Sequence, residues 1–181
     1  MKKTDLKSFI LCALFAALSA ALSQIMIPIG PVPITLTHIS VFLAGGLLGA
    51  KHGAVSQLIF VLLGAVGMPV FAGFTGGIGI VTGYTGGFIL GYVLCAFAVG
   101  LLCESLGRST GVLVLAMIIG MAVTYLPGIL WFMYLTNTGL APALMTCVIP
   151  FLPGDAVKIA LSAALVKRLY PILTRNPVSA A

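Results

Sequence analysis

An acid and a base stand three residues apart in the run PFLPGDAVK, Asp155 and Lys158, with no other charged residue close by in the chain. On a helix, residues at that spacing share a face. A carboxylate accepts N–H donors and an ammonium donates to oxygen, so together they can hold a small solute that carries both kinds of group. The bland alternative is an ion pair that only satisfies itself. Bond-making chemistry has no comparable support. The chain has no GxSxG, no HExxH and no visible nucleophile beside a base. Without GxxxxGK[ST] it binds no ATP through a Walker loop, and GGIGIVTG does not complete a dinucleotide GxGxxG.

The surroundings of the pair explain why it matters. The 181 residues are 61% apolar and 7% charged, with a mean hydropathy of +1.24, which no water-soluble core can absorb. This composition predicts an all-α integral membrane protein. An ionisable side chain at the centre of a membrane helix costs about 2.5–3.5 kcal/mol on insertion scales, so Asp155 and Lys158 need a reason to be there. Every other charge can be placed at the end of an apolar segment. The nine Lys and Arg outnumber the three Asp and Glu, but they are scattered and form no stripe of the kind nucleic acid requires.

Apolar stretches run over 8–29, 36–50, 54–70, 86–103, 111–135 and 141–170, giving six transmembrane helices in one domain that covers residues 1–181. A span needs about 20 residues, so the second stretch is short and the sixth is long enough to tilt or break. Six spans place Lys2, Lys3, Lys7, Lys51, Arg108, Lys167, Arg168 and Arg175 on one face. The positive-inside rule makes that face cytoplasmic and puts both termini there, in the cell membrane. The start, MKK followed by an apolar run and ALSAALSQ, imitates a cleaved signal peptide, but five remaining spans would spoil the charge agreement, so it is read as the first span.

The segment from Met68 to Gly87 carries no charge, is dense in glycine and lacks a helical pattern. Irregular backbone at membrane depth is tolerated where it packs on protein or lines a cavity. Residues 69–85, between the third and fourth helices, are therefore read as a re-entrant or capping loop over a site. The alternatives are an ordinary exterior loop, or a helix seam made by Gly79, Gly83, Gly87 and Gly91. In the first span Ala13, Ala17 and Ala21, with Ala16 and Ala20 alongside, form a smooth stripe, either packed internally or offered to a second membrane protein. Cys12, Cys95, Cys103 and Cys147 have no CxxC pattern or nearby His, and no metal site is expected. His38 and His52, with no carboxylate or Cys at ligand spacing, are each read as a satisfied or solvated histidine.

If the sixth segment is helical, Asp155 stands roughly 18 Å and Lys158 roughly 13 Å from the basic residues at its end. In a hydrocarbon core about 30 Å thick, both lie close to the midplane. Pro150 and Pro153 interrupt a helix entering from the other side, so Asp155 belongs to the first turn after a break. A broken helix at mid-membrane is a common way for transporters to hold a polar solute.

PVPITL, LAGGLLGAKHGAVSQ, GMPVFAGFTGGIG, GYTGG and PFLPGDAVK, in that order, make the chain similar to the BioY family, the biotin-binding substrate (S) subunits of energy-coupling-factor (ECF) vitamin transporters. The resemblance runs from about Ala13 to Lys167. It implies a six-helix protein with cytoplasmic termini that works with a membrane coupling subunit and a pair of ABC ATPases, which supply the missing Walker loop. It maps the family's GDxxK acid and base onto Asp155 and Lys158, and the small-residue contact with the coupling subunit onto Ala13 and Ala17, with Ala21 continuing the stripe. Thr37 and Tyr84 replace residues of the commoner PxTLQ and GPTGG, and with Thr82 they are the expected remainder of the polar shell.

Biotin has two ureido N–H donors, a carbonyl, an apolar bicycle and a carboxylate on a flexible tail. The expected assignment gives Asp155 to the ureido N–H groups and Lys158 to the carboxylate, with Phe71, Phe74 and Tyr84 as walls. No cofactor is expected; biotin is cargo. The rival readings are an S subunit for thiamine or riboflavin, and a stand-alone secondary carrier.

Overall fold

The computed structural model describes residues 3–174, with side chains from Leu6 to Leu173; Lys2 and Arg175 lie outside the described residues, and so does the Lys3 side chain. Helix α1, Lys3–Ser23, ends six residues short of the expected 8–29 span. Pro28, Pro31 and Pro33 follow it, and proline supplies no backbone donor and disfavours helix in the residue before it. The chain instead forms a small antiparallel pair, β1 (Met26–Ile27) with β2 (Ile34–Thr35), turning through Gly30 at φ +67. This hairpin is a departure from the purely helical expectation.

Helix α2, Thr37–Ala65, contains a residue that is not helical: Gly49, at φ 84 and ψ −178. The chain doubles back there. A Cβ placed on Gly53 would fall 2.9 Å from the Cα of Gly45. Ser19 of α1 touches both the Ser40 hydroxyl (2.7 Å) and the Gln57 amide oxygen (3.0 Å), residues that would stand about 25 Å apart on an unbroken helix. The expected 36–50 and 54–70 spans are therefore the arms 37–48 and 50–65 of a helical hairpin. The second arm stops at Ala65 because Gly67 takes φ +103 and Pro69 follows. The first arm is sheathed: every residue from 37 to 47 is buried. A helix apolar on all sides belongs in the middle of a bundle, and once there its short length need not match the lipid.

The turn of the hairpin is electrostatically finished by α4, Gly86–Leu106, and by Arg108 just beyond it. The first arm ends in unpaired carbonyls and the second begins with unpaired N–H groups, carrying partial negative and positive charge. Arg108 Nε donates to the Gly46 carbonyl at 2.8 Å, and the Ala50 N–H donates to Glu104 Oε1 at 3.0 Å. The Arg108 guanidinium also lies 3.8 Å from the centre of the Tyr170 ring. At the same end of the bundle Lys7 Nζ donates to the Leu173 carbonyl (2.9 Å), and Lys167 Nζ donates to Thr110 Oγ1 (2.8 Å).

Helix α5, Thr110–Thr136, packs on α4 through a seam where Gly87 meets Gly128 and the Pro127 carbonyl, and Gly91 meets Thr124. Gly79 faces open space, so the four-residue glycine series is a helix seam at Gly87 and Gly91 only. Between the second arm and α4 the glycine-dense segment holds one turn of helix, α3, Ile78–Val81. The expected sixth stretch divides into α6, Leu140–Cys147, and α7, Leu152–Thr174, bent by 53°. By length and composition, four helices can cross a membrane among the described residues, or five with the bent pair taken as one span.

Gly49 is sensitive to substitution because its φ of +84 suits glycine, and an added Cβ would also displace the Glu104 carboxylate that accepts from Ala50. Gly49→Ala is expected to cost well over about 1 kcal/mol, read as a fall in the melting temperature of detergent-solubilised protein. Lys51→Ala, exposed two residues away, serves as the near-neutral control. Equal melting of the two variants would reject the reversal at Gly49.

Candidate functional site

Pro150 lies in the gap between α6 and α7, while Pro153 sits in the first turn of α7, where a missing N–H leaves no helical bond unmade. Asp155 falls in that same first turn, where helix dipoles favour negative charge, and its N–H donates to the Phe151 carbonyl at 2.9 Å. Lys158 follows one turn on. Both side chains are about 95% removed from solvent, and Lys158 Nζ donates to Asp155 Oδ1 at 3.1 Å. The second carboxylate oxygen accepts from the hydroxyl of Tyr125 on α5. The ammonium has three donors and the ion pair uses one.

Two adjoining cavities share Val32, Pro33, Thr35 and Tyr92 as walls. The inner and smaller one is lined by Lys158, Tyr125, His38, Phe88 and Phe151. The outer and larger one is lined by Thr37, Phe60, Phe71, Ala72, Ile80 and Ile89. The β1–β2 hairpin, the first arm of α2, α4, α5 and α7 thus meet around one chamber, polar at its inner end and apolar towards the glycine-dense segment. Asp155 itself lies behind Lys158 and lines a separate, largely apolar groove between α5 and α7.

The glycine-dense segment is fastened where it meets the chamber. Phe71 is 3% exposed and packs edge-on against Phe60, with ring centres 5.5 Å apart. Its ring leaves no room for a side chain on Gly64. Ser23 Oγ donates to the Val70 carbonyl at 2.5 Å, Gln24 Nε2 donates to the Phe71 carbonyl at 3.2 Å, and the Phe74 N–H donates to Gln24 Oε1 at 2.8 Å.

Of the residues expected at the site, the structure brings Lys158, Thr37 and Phe71 to the chamber and places Asp155 against Lys158. Thr37 is buried, its hydroxyl 2.9 Å from that of Thr35. Phe74 is 72% exposed, Thr82 is exposed with its hydroxyl donating to the Ile78 carbonyl, and Tyr84 is half-exposed beside Phe132. These three line neither cavity. Ala13, Ala17 and Ala21 face outward along α1, whereas Ala16 is buried and Ala20 half-buried, so the stripe has an inner and an outer edge.

Tyr125, Tyr92 and Thr35 were not singled out by sequence reasoning, though an isolated hydroxyl in an apolar segment is a cue of the same kind as an isolated charge. His38 requires a correction. It is not a satisfied histidine: it is 9% exposed, and its Nε2 has no hydrogen-bond partner.

Comparison with known proteins gives this geometry relatives. The structure superposes with a TM-score of 0.86, at 29% identity, on the 2.1 Å crystal structure of the S-component for biotin from an ECF-type ABC transporter, covering 97% of this chain and 99% of that one. A probable biotin transporter BioY of Pyrococcus horikoshii is 42% identical over 90% of this chain and 96% of its own length. The biotin transporter BioY of Rhodobacter capsulatus is 40% identical over 88% of this chain and 90% of its own. A sequence model of the BioY family matches residues 1–175, and with that match and these relatives spanning nearly its whole length, the chain belongs to the BioY family.

Proposed function

We propose that this chain is the biotin-binding S subunit of an ECF-type ABC transporter, which takes biotin up across the cytoplasmic membrane and catalyses no reaction itself. The observation that carries the reading is the buried Lys158 ammonium, neutralised by Asp155 and with donors to spare, at the polar inner end of a chamber that turns apolar towards the glycine-dense segment. A solute with a polar oxygen at one end and an apolar bicycle suits that gradient. The names of the relatives support biotin over thiamine or riboflavin, and transporter over enzyme.

In this reading Lys158 meets the ligand carboxylate, Asp155 neutralises and holds Lys158 from behind, and Thr37 and Phe71 complete the walls. The ureido assignment expected for Asp155 is dropped, because its carboxylate lines neither cavity of the chamber and is bonded to Lys158 and Tyr125. Phe74, Thr82 and Tyr84 stay outside the binding set. The segment 69–85 acts as the cap, fixed by Ser23 and Gln24. The chain crosses the membrane six times as one domain: α1, the two arms of α2, α4, α5, and α6 with α7. The end bearing Lys7, Lys51, Arg108 and Lys167 faces the cytoplasm with both termini. The outer edge Ala13, Ala17 and Ala21 receives the membrane coupling subunit, and ATP is hydrolysed by the ATPases behind it.

Asp155→Asn and Lys158→Met each leave one buried charge without its partner, a loss of about 3–5 kcal/mol for a fully buried pair. Calorimetry with biotin should show affinity reduced at least about a hundredfold in each folded variant. Full affinity in both would move the ligand elsewhere, and preference for thiamine or riboflavin in competition would change the vitamin.

Gly139, exposed between α5 and α6 at φ −73, accepts a side chain without strain. In intact cells Gly139→Cys should react with an impermeant thiol reagent, while the wild-type, whose four cysteines are buried, should not. Labelling that requires opened membranes would reverse the proposed orientation.

Replacing Ala13 and Ala17 together by Trp adds bulk to an outward face without entering the bundle. Biotin affinity should stay within about threefold, a change of under 1 kcal/mol, while ATP-driven uptake in vesicles containing the coupling subunit and ATPases is abolished. Loss of affinity together with uptake would place that edge inside the fold.

A further inference from the structure

His38 begins the sheathed arm of α2 and projects into the inner cavity that Lys158 and Tyr125 line. The ring is held from the side: its centre lies 5.0 Å from that of Tyr92 in an edge-on contact and 5.9 Å from that of Phe42. Its position is therefore fixed by packing. Its Nε2, by contrast, is buried and bonded to nothing. An unpaired buried polar atom costs about 1–3 kcal/mol, and most buried polar atoms in folded proteins do have a partner. Because the ring lines the inner cavity, a ligand atom seated there is the partner the fold leaves room for.

The neighbouring Lys158 fixes what that partner is. Lys158 Nζ carries only N–H donors, with the Asp155 carboxylate on one side of it. A ligand oxygen in the inner cavity can accept from the ammonium on one side and from an imidazole N–H on the other. A ligand N–H there would face the ammonium unfavourably. Building on the biotin reading, we propose that His38 is a direct ligand contact, its Nε2–H donating to the same oxygen-bearing group of the ligand that Lys158 meets.

This makes the inner cavity an oxyanion-binding corner built by two helices, α2 and α7. The carboxylate of biotin fits it, and the assignment explains why a histidine without a partner stands in the sheathed arm. The experiment compares His38→Phe, which keeps a flat ring and removes the donor, with His38→Gln, which keeps an amide donor near the position of Nε2. Three quantities are read on purified protein: melting temperature without ligand, biotin affinity, and the coupling between His38→Phe and Lys158→Met in a double-mutant cycle.

His38→Phe should melt no lower than the wild-type without ligand, since the unpaired polar atom is gone, yet bind biotin about tenfold or more weakly. His38→Gln should recover most of the affinity. The double variant should lose less than the product of the two single losses, because both side chains serve one group. Wild-type affinity in His38→Phe, or strictly multiplicative losses, would overturn the proposal while leaving the biotin reading intact. Failure of the wild-type itself to bind biotin would overturn both.

Discussion

Asp155 and Lys158 cannot leave water separately. Each buried ion alone carries a penalty of several kcal/mol, and only close contact plus further hydrogen bonds offsets it. The structure meets that demand with a 3.1 Å ion pair and a tyrosine hydroxyl on the remaining carboxylate oxygen. Much of the architecture around the site follows from it. The helix must begin just before Asp155, so that its amide dipoles favour the carboxylate, and the gap holding Pro150 provides that start. Helix α5 must come close enough to present Tyr125. The ammonium keeps donors beyond the ion pair and lines the inner cavity together with His38.

The opposite end of the bundle solves a different problem with the same physics. Reversing a helix inside a membrane protein exposes carbonyls on one arm and N–H groups on the other, and lipid satisfies neither. Glu104 and Arg108, four residues apart, answer the two needs separately, one accepting from Ala50 and the other donating to Gly46. Swapping their signs would set each against the local dipole. Arg108 is thus more than a marker of sidedness, since its guanidinium also covers Tyr170 and fastens α7 to the turn.

The membrane class, the Asp155–Lys158 pair and the break before it are legible in the sequence because charge and proline in an apolar chain are rare and costly. The hairpin at Gly49 is half legible: two apolar stretches with Lys51 and His52 between them suggest a turn, but only coordinates reveal a first arm buried on every side. The glycine-dense segment is hard to read for a physical reason. With so little side-chain pattern, nothing distinguishes Phe71, which turns inward against Gly64, from Phe74, three residues on, which points out at φ +56. Tyr125 and His38 are missed because each is a single polar residue whose meaning depends on what another helix places opposite it.

Helix α1 ties these regions together. Its inner edge, through Ala16, Ser19 and Ser23, packs into the bundle. Ser19 joins Ser40 and Gln57 on the two arms of α2, and Ser23 and Gln24 hold the segment that carries Phe71. Its outer edge, Ala13, Ala17 and Ala21, is exposed among the described residues. Small residues outside and hydroxyls inside leave a smooth outer face while keeping the helix's own hydrogen bonds directed inward. The Ser19 contact also lies one turn or less from Thr37 and His38, so the helix with the uncovered face sits one hydrogen bond from the arm that forms the chamber wall.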